Sequence, residues 1–334
     1  MKISIAMATY NGAAYLREQL DSIAGQKRLP DELVVTDDQS TDDSARIVSE
    51  FAAETRFSVR LEINPHRLGV TRNFERALSM CSGDLVFLSD QDDVWLPEKI
   101  DRLTQYAERA PHASCIINDA WLADEALQPT GATKMAQIEA LGLPKEAMVQ
   151  GCCVALRGEL LGCLLPIPDD QQSHDNWLVQ MADLLGQTVR LREPLQYYRR
   201  HGRNASNTTA NRLNSPGPWR QLRERVAEFL RRARAADGLD KEFRFCASAL
   251  QRLNERQSDL LAAVGDQALK DARARAHLKW VLLSRRKDIH GMSRPSRLPH
   301  VWKLWRDGGY QQNGKLASAA KDLLVSSNDK RDGP

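Results

Sequence analysis

Residues 1–118 alternate short β-rich runs with stretches of helical periodicity, and this alternation constrains the fold more than any other feature of the chain. The runs at residues 3–8, 33–36, 59–63, 85–88 and 114–118 are β-rich and bounded by polar or turn-forming residues. Between them, residues 15–24 place Leu16, Leu20 and Ile23 on one helical face. Residues 45–51 do the same with Ile47, Val48 and Phe51, behind a start signal at Ser40, Thr41 and Asp42. Pro97 at a first helical position opens a helix over residues 98–110. Strands separated by helices of about ten residues form βαβ units, so an α/β fold with a mostly parallel sheet is expected. Ligands on such sheets bind beyond the carboxyl ends of the strands. Polar clusters stand at those ends here: Thr9 to Asn11, Asp37 with Asp38, and Asp90 to Asp93.

The charge divides the chain in two. Residues 1–200 hold 20 Lys+Arg against 30 Asp+Glu, and residues 201–334 hold 27 against 14. An acidic half suits a divalent cation, and a basic half suits an anionic polymer or surface. The six cysteines show no CxxC spacing and read as small buried apolar residues in a reducing compartment. No run approaches the roughly 18 apolar residues of a membrane span, and no signal-peptide pattern opens the chain, so the expected place is the cytoplasm. Residues 119–206 are less regular, with a helix expected over 175–185. Residues 207–218 fall in an Asn/Ser/Pro/Gly-rich stretch that reads as a linker.

The segment LVFLSDQDDVW delivers Asp90, Asp92 and Asp93 within four residues at the end of an apolar strand. Like charges this close repel unless a cation neutralises them. Mg2+ and Mn2+ take such oxygen ligands, commonly together with substrate phosphates. A solvated acidic turn ahead of the helix at 98–110 is the bland alternative. The Asp37–Asp38 pair at a neighbouring strand end favours a site.

With these segments in view, the chain resembles family 2 glycosyltransferases. The resemblance rests on MATYNGAAYLREQLDSI, DELVVTDDQSTDDSARIV, NPHRLGVTRNFERAL and GDLVFLSDQDDVW. It continues more thinly through QGCCVALRGELL, SHDNWLVQMADLLG and EPLQYYRRHGRNAS to about residue 206. It implies a GT-A fold, a Rossmann-like sheet carrying a DxD metal motif, with residues 1–118 as the nucleotide-sugar half and 119–206 as the acceptor and catalytic-base half. Ala8, Thr9 and Tyr10 would line the nucleobase pocket, and either Asp37 or Asp38 would hydrogen-bond the base or ribose. Arg72 would lie near the donor phosphates. Asp90 and Asp92 would form the DxD, with Asp92 the direct metal ligand, and Asp175 would be the catalytic base. At least one of Arg199, Arg200 and His201 would touch the diphosphate. Gln39 stands where the family has glycine, which puts the geometry of that turn in question. The DQDDVW form is similar to the branch containing rhamnosyltransferases of surface-polysaccharide assembly.

Read on these terms, the chain is an inverting transferase with Mg2+ or Mn2+ as cofactor and a TDP- or UDP-linked sugar as donor. Its acceptor is a glycan or lipid-linked glycan. The attacking hydroxyl needs a base, and the departing diphosphate needs positive charge. Other readings assign the roles differently. Arg72 and Tyr10 can be an exposed helix arginine and a packed aromatic, Asp175 can cap its helix beside Ser173, and His174 and His201 can be structural. A nucleotidyltransferase or pyrophosphatase is a rival, but no GxxxxGK or GxGxxG loop occurs. A nucleic-acid-binding protein is a second rival. It lacks zinc-finger and RNP-like motifs, so no nucleic-acid partner is expected. Residues 219–334 read as a basic helical extension holding four of the seven tryptophans. Its Trp/Arg clusters begin at Trp219, at Trp280 and at Trp302, and they suit either an anionic membrane surface or packing in a core or homodimer.

Overall fold

The computed structural model of the protein describes residues 1–171, 173–202, 237–310 and 315–325. The expected linker at 207–218 and the Trp219 cluster lie outside the described residues. Those that are described divide into two compact units, one of residues 1–202 with 256–269 and one of residues 237–255 with 270–325.

The first unit begins with the alternation read above. It runs β1 (Ile3–Thr9), α1 (Ala13–Ala24), β2 (Glu32–Asp37), α2 (Ser44–Glu54), β3 (Ser58–Ile63), α3 (Val70–Met80), β4 (Leu85–Ser89), β5 (Val94–Trp95) and α4 (Lys99–Arg109). There follow β6 (Cys115–Ala123), β7 (Pro129–Thr133), α5 (Lys134–Ala140), β8 (Val154–Arg157), α6 (Gly158–Leu164), α7 (His174–Leu184) and β9 (Thr188–Arg199). The strands form one sheet in the order β3-β2-β1-β4-β8-β6-β9-β5, with β7 on β6. The β3-β2-β1-β4 half is parallel, as βαβ units require. Beyond β4 the sheet is mixed. β8 runs antiparallel to both β4 and β6, whereas β9 runs parallel to β6.

Burial explains the strand composition. Every residue of β4 is buried, and so are six of the seven in β1, because helices cover both faces. The core joins Ile3, Ile5, Met7, Leu33, Val35, Leu85 and Phe87 from the strands to Leu16, Leu20 and Ile23 of α1, Val48 and Phe51 of α2, and Ile100 and Leu103 of α4. The helix behind Pro97 starts at Lys99, one residue later than the spacing predicts, with Glu98 as its flanking residue. The two-residue β5 pairs antiparallel with the end of β9 and brings the acidic loop after β4 against the chain near residue 200.

Gln39 adopts φ 64°, the left-handed conformation that glycine takes most easily. Its amide donates to the Asn64 carbonyl at 2.8 Å, which compensates for that conformation, so the turn is kept without glycine.

The remaining helices are α8 (Asp237–Glu255), α9 (Gln257–Val264), α10 (Asp266–Gly291), α11 (Arg294–Arg306) and α12 (Lys315–Leu324). Helix α9 packs against α6 within the first unit. In the second unit Ile289, Val301, Leu304, Tyr310 and Ala319 form a small core. Asp322, fully buried, accepts two bonds from Arg286 at 2.8 and 2.9 Å, one from Tyr310 Oη at 2.8 Å, and pairs with His290 Nε2 at 2.8 Å. The buried Arg297 donates to the carbonyls of Met292, His290 and Val325. These contacts tie α10, α11 and α12 together. No described helix is long and apolar enough to cross a membrane.

Candidate active site

Four strand ends converge on the acidic loop. Gln91 fixes its approach to β1: its side-chain carbonyl accepts from Tyr10 N at 2.9 Å and its amide donates to the Tyr10 carbonyl at 3.1 Å. This pairing requires a residue without a side chain at position 12, because a Cβ on Gly12 would stand 2.2 Å from the Gln91 carboxamide oxygen. The middle residue of the DxD therefore latches the loop to the first strand, a role that the motif alone does not reveal.

Asp93 points into the core and is fully buried. It accepts from Gln196 Nε2 at 2.9 Å and from Arg199 N at 3.2 Å. The buried Lys99 donates to Gln196 Oε1 and, at 2.7 Å, to the Cys152 carbonyl, and its ammonium lies 3.8 Å over the Trp95 ring. Burial pushes the Lys99 pKa down to about 8, and burial together with the Asp92 charge pushes Asp93 up to about 7. Asp90 is raised well above the ordinary carboxylate range, first by burial and then by Asp93, Asp92 and Asp175.

Asp92 meets His201, whose Nε2 lies 2.8 Å from Asp92 Oδ2. Beneath this pair Arg199, 2% exposed, donates through Nε to the Asp92 carbonyl at 2.9 Å and through Nη1 to the Glu125 carbonyl at 2.7 Å, and it also bonds Glu18. Its guanidinium is thus engaged in holding the loop. His201 in turn packs against Tyr15, the rings tilted by 33° with centroids 4.6 Å apart.

On the other side of Asp90, Ser173 caps α7 and donates to Asp175 Oδ1, which also accepts from Asn176 N at 2.8 Å. Asp175 Oδ2 faces Gly151: a Cβ there would lie 3.6 Å from Oδ2, 3.3 Å from Asp175 Cβ and 3.2 Å from His174 Nε2. The absence of a side chain at Gly151 lets this loop close on the carboxylate. His174 is buried, stacks on Phe74 at 4.0 Å and has its pKa lowered by that burial.

The residues expected to line a nucleobase pocket cluster at the ends of β1 and β2. Ala8 is half-buried and Thr9 buried. Asp37 accepts from Thr9 Oγ1 at 2.7 Å and from Ser40 N and Oγ at 2.8 and 2.6 Å. Asp38 accepts from Asn64 Nδ2, Leu68 N and Gly69 N at 2.9, 2.7 and 2.8 Å, so it anchors the loop that enters α3. From that loop Arg67 lays its guanidinium over the Tyr10 ring at 4.0 Å. Arg72 lies apart from the carboxylates, bonded to Glu75, to Asp169 and, at 2.7 Å, to the Ile167 carbonyl.

The arrangement suits a hard divalent cation. Among the described residues Asp90, Asp93 and Cys152 place ligand atoms within 4.8 Å of one another. However, Asp93 is enclosed by protein donors, and burial holds the Cys152 thiol protonated. That inward set is therefore a poor match for Mg2+ or Mn2+, which take accessible oxygen ligands.

Residues 4–165 match the family model described as "Glycosyl transferase family 2". They form a family 2 glycosyltransferase domain. The chain carrying it is 29% identical over 207 residues to Uncharacterized protein Mb1547 of Mycobacterium bovis, spanning 60% of this chain and 59% of that protein. Over 98 residues it is 35% identical to the dTDP-rhamnosyl transferase RfbG of Shigella flexneri, spanning 28% of this chain and 34% of that one. Among solved structures, S. aureus TarS in complex with UDP-GlcNAc aligns with a TM-score of 0.53 at 17% identity, over 97% of this chain and 89% of that one. The mannosyltransferase PcManGT from Pyrobaculum calidifontis, in complex with GDP-Man and Mn2+, aligns with a TM-score of 0.50 at 18% identity, over 97% and 87%. These likenesses establish the GT-A fold of the glycosyltransferase domain.

Sequence reasoning missed Lys99, Gln196 and Cys152, which surround Asp93. Their spacing carries no signal, because the contacts arise only when β9 is laid beside β6. The contact of His201 with Asp92 was likewise not legible, since 109 residues separate the two.

Proposed function

We propose that the protein is an inverting glycosyltransferase that moves a sugar from a nucleoside diphosphate to a hydroxyl of a glycan or lipid-linked glycan. The observation that supports this reading is the gathering of these groups: Asp92 pairs with His201, and the charges of Asp92 and Asp175 both act on Asp90. Asp92 and His201, with Asp90 beside them, would hold Mg2+ or Mn2+, which when bound neutralises charge gathering on the departing diphosphate.

Asp175 serves as the base. With Oδ1 fixed by Ser173 and the Asn176 N–H, Oδ2 takes the proton of the acceptor hydroxyl as its oxygen bonds to the anomeric carbon. The bond from that carbon to the diphosphate oxygen breaks on the opposite side, so the configuration inverts. Ala8, Thr9 and Tyr10 border the nucleoside, with Asp37 and Asp38 shaping the pocket through the turns they anchor. In this reading Arg199 acts on the diphosphate indirectly, by positioning Asp92. Arg72 reaches donor phosphates only if its bonds to Glu75 and Asp169 open.

The donor put first is TDP-rhamnose, supported by the limited match to RfbG and by the DQDDVW segment. The test is to incubate the protein with TDP-rhamnose, UDP-GlcNAc and GDP-mannose, with and without Mn2+, and to follow nucleoside diphosphate release and the anomer formed. Metal-dependent release of nucleoside diphosphate with inversion supports the reading. Release of free diphosphate or nucleoside monophosphate would assign the site to a pyrophosphatase instead.

A further inference from the structure

Helix α11 presents two faces that the fold treats differently. Arg297, Val301 and Leu304 turn inward, whereas Leu298 is 62% exposed and Trp302 is 68% exposed. These two residues are one turn apart and leave the same side of the helix, where Pro295 and Pro299 are exposed as well. Arg294, Lys303 and Arg306 are also exposed, and α11 contains no Asp or Glu. Leu324, 61% exposed at the end of α12, adjoins the start of this stripe, since Arg294 donates to its carbonyl at 3.2 Å.

Most of the Trp280 cluster is engaged inside its own unit. Trp280 stacks on Phe243 at 5.9 Å, Arg286 is bound by Asp322, and Lys287 pairs with Asp240 at 2.8 Å. Among the described residues, the outward face of α11 combines two neighbouring exposed large apolar groups with three exposed cations. Arg306 approaches Asp307 at 3.5 Å on the open surface, a weak contact.

We propose that this face of α11 docks on an anionic lipid surface, with Trp302, Leu298 and Leu324 entering the headgroup boundary and Arg294, Lys303 and Arg306 facing lipid phosphates. Tryptophan and leucine flanked by Lys and Arg are the composition of helices that lie in the plane of a membrane interface. Charge complementarity selects the occupant. A second copy of the same face would bring cations against cations with no carboxylate from α11 to offset them. A nucleic acid would satisfy the cations but has no use for an apolar stripe presented to its backbone.

The experiment is flotation of the full chain with phosphatidylglycerol-containing vesicles or with phosphatidylcholine vesicles, at low and high salt. Wild type should float with the anionic vesicles at low salt and separate from them at high salt. The Trp302→Ser/Leu298→Ser variant should lose at least tenfold in vesicle affinity. Arg294→Gln/Lys303→Gln/Arg306→Gln should lose roughly a hundredfold, about fivefold per cation. All five positions are exposed, and an unchanged circular dichroism spectrum with unchanged Mn2+-dependent nucleotide binding would show that the variants fold. The proposal is overturned if the serine variant floats like wild type, or if wild type stays unbound with every vesicle. A wild-type dimer that the serine variant splits, without flotation by either, would assign the face to a second copy. Nucleic-acid binding that the serine variant keeps, without flotation, would assign the cations to that ligand. Both of these outcomes also overturn the proposal.

Discussion

His201 Nε2 and Asp92 Oδ2 stand 2.8 Å apart, although 109 residues separate them along the chain. A cation held between an imidazole and a carboxylate would replace this direct contact with two coordinate bonds. His201→Ala and Asp92→Asn are each expected to weaken Mn2+-dependent nucleotide binding by tenfold or more, read by calorimetry. If only Asp92→Asn weakens it, His201 is a positioning residue.

Asp175→Asn should reduce sugar transfer by on the order of a hundredfold or more while nucleotide affinity in Mn2+ stays within about twofold, as removal of a general base predicts. The comparison needs single-turnover transfer and equilibrium binding on the same preparation. Equal loss of both would move Asp175 from the chemistry to the donor pocket.

The raised pKa of Asp93 gives the metal-free protein a pH signature. Its folded value, about 7, lies above its unfolded one, so the folded state holds the extra proton. The resulting stability is complete below the unfolded pKa and is lost as pH rises through about 7. A cation near Asp92 and Asp90 opposes that loss. The rise in Tm on adding Mn2+ should therefore be larger at pH 8 than at pH 6, and Asp92→Asn should flatten the difference.

The second unit should respond to acid in the opposite sense. Hydrogen bonds from His290, Arg286 and Tyr310 hold the Asp322 carboxyl below its ordinary range, despite burial that acts the other way. Stability from this group is present above the unfolded carboxylate pKa and is lost as pH falls through the lower folded value. Asp322→Ala leaves Arg286 buried without its carboxylate, which costs about 3–5 kcal/mol. Tryptophan fluorescence during thermal and acid unfolding should show this unit melting early in the variant.

Much of the parallel half of the sheet was legible in the sequence because β1, β2 and β4 are apolar runs and α1 and α2 show helical periodicity, whereas α3 was not read and β3 carries Arg60 and Glu62. Asp90 and Asp92 could be read from their crowding at a strand end, and Asp37 and Asp38 likewise. The structure adds that both of the latter are satisfied by protein donors, which no spacing discloses. The mixed half was harder to read. β8 is four residues long and β9 is only partly buried, so neither shows a clean alternation. The burial of Lys99 and Arg199 could not be foreseen, since long cationic residues ordinarily reach solvent and only tertiary contacts make these two interior. Ser173 as the cap of α7 follows directly from its position ahead of the helical run, and the structure bears it out.

The parallel pairing of β9 with β6 has a consequence for how the protein matures. A chain emerging in order from its N-terminus can complete β1, β2, β3 and β4 from local βαβ units, yet it presents Asp92 long before His201 exists. Coordination that needs both residues must await the last strand of the unit, a closure of high sequence separation and so of slow formation. Cation affinity in a series of C-terminally shortened chains would then appear in one step once residue 201 is included. It would serve as a clock for the moment at which β9 joins the sheet, ahead of the α9 segment that completes the unit.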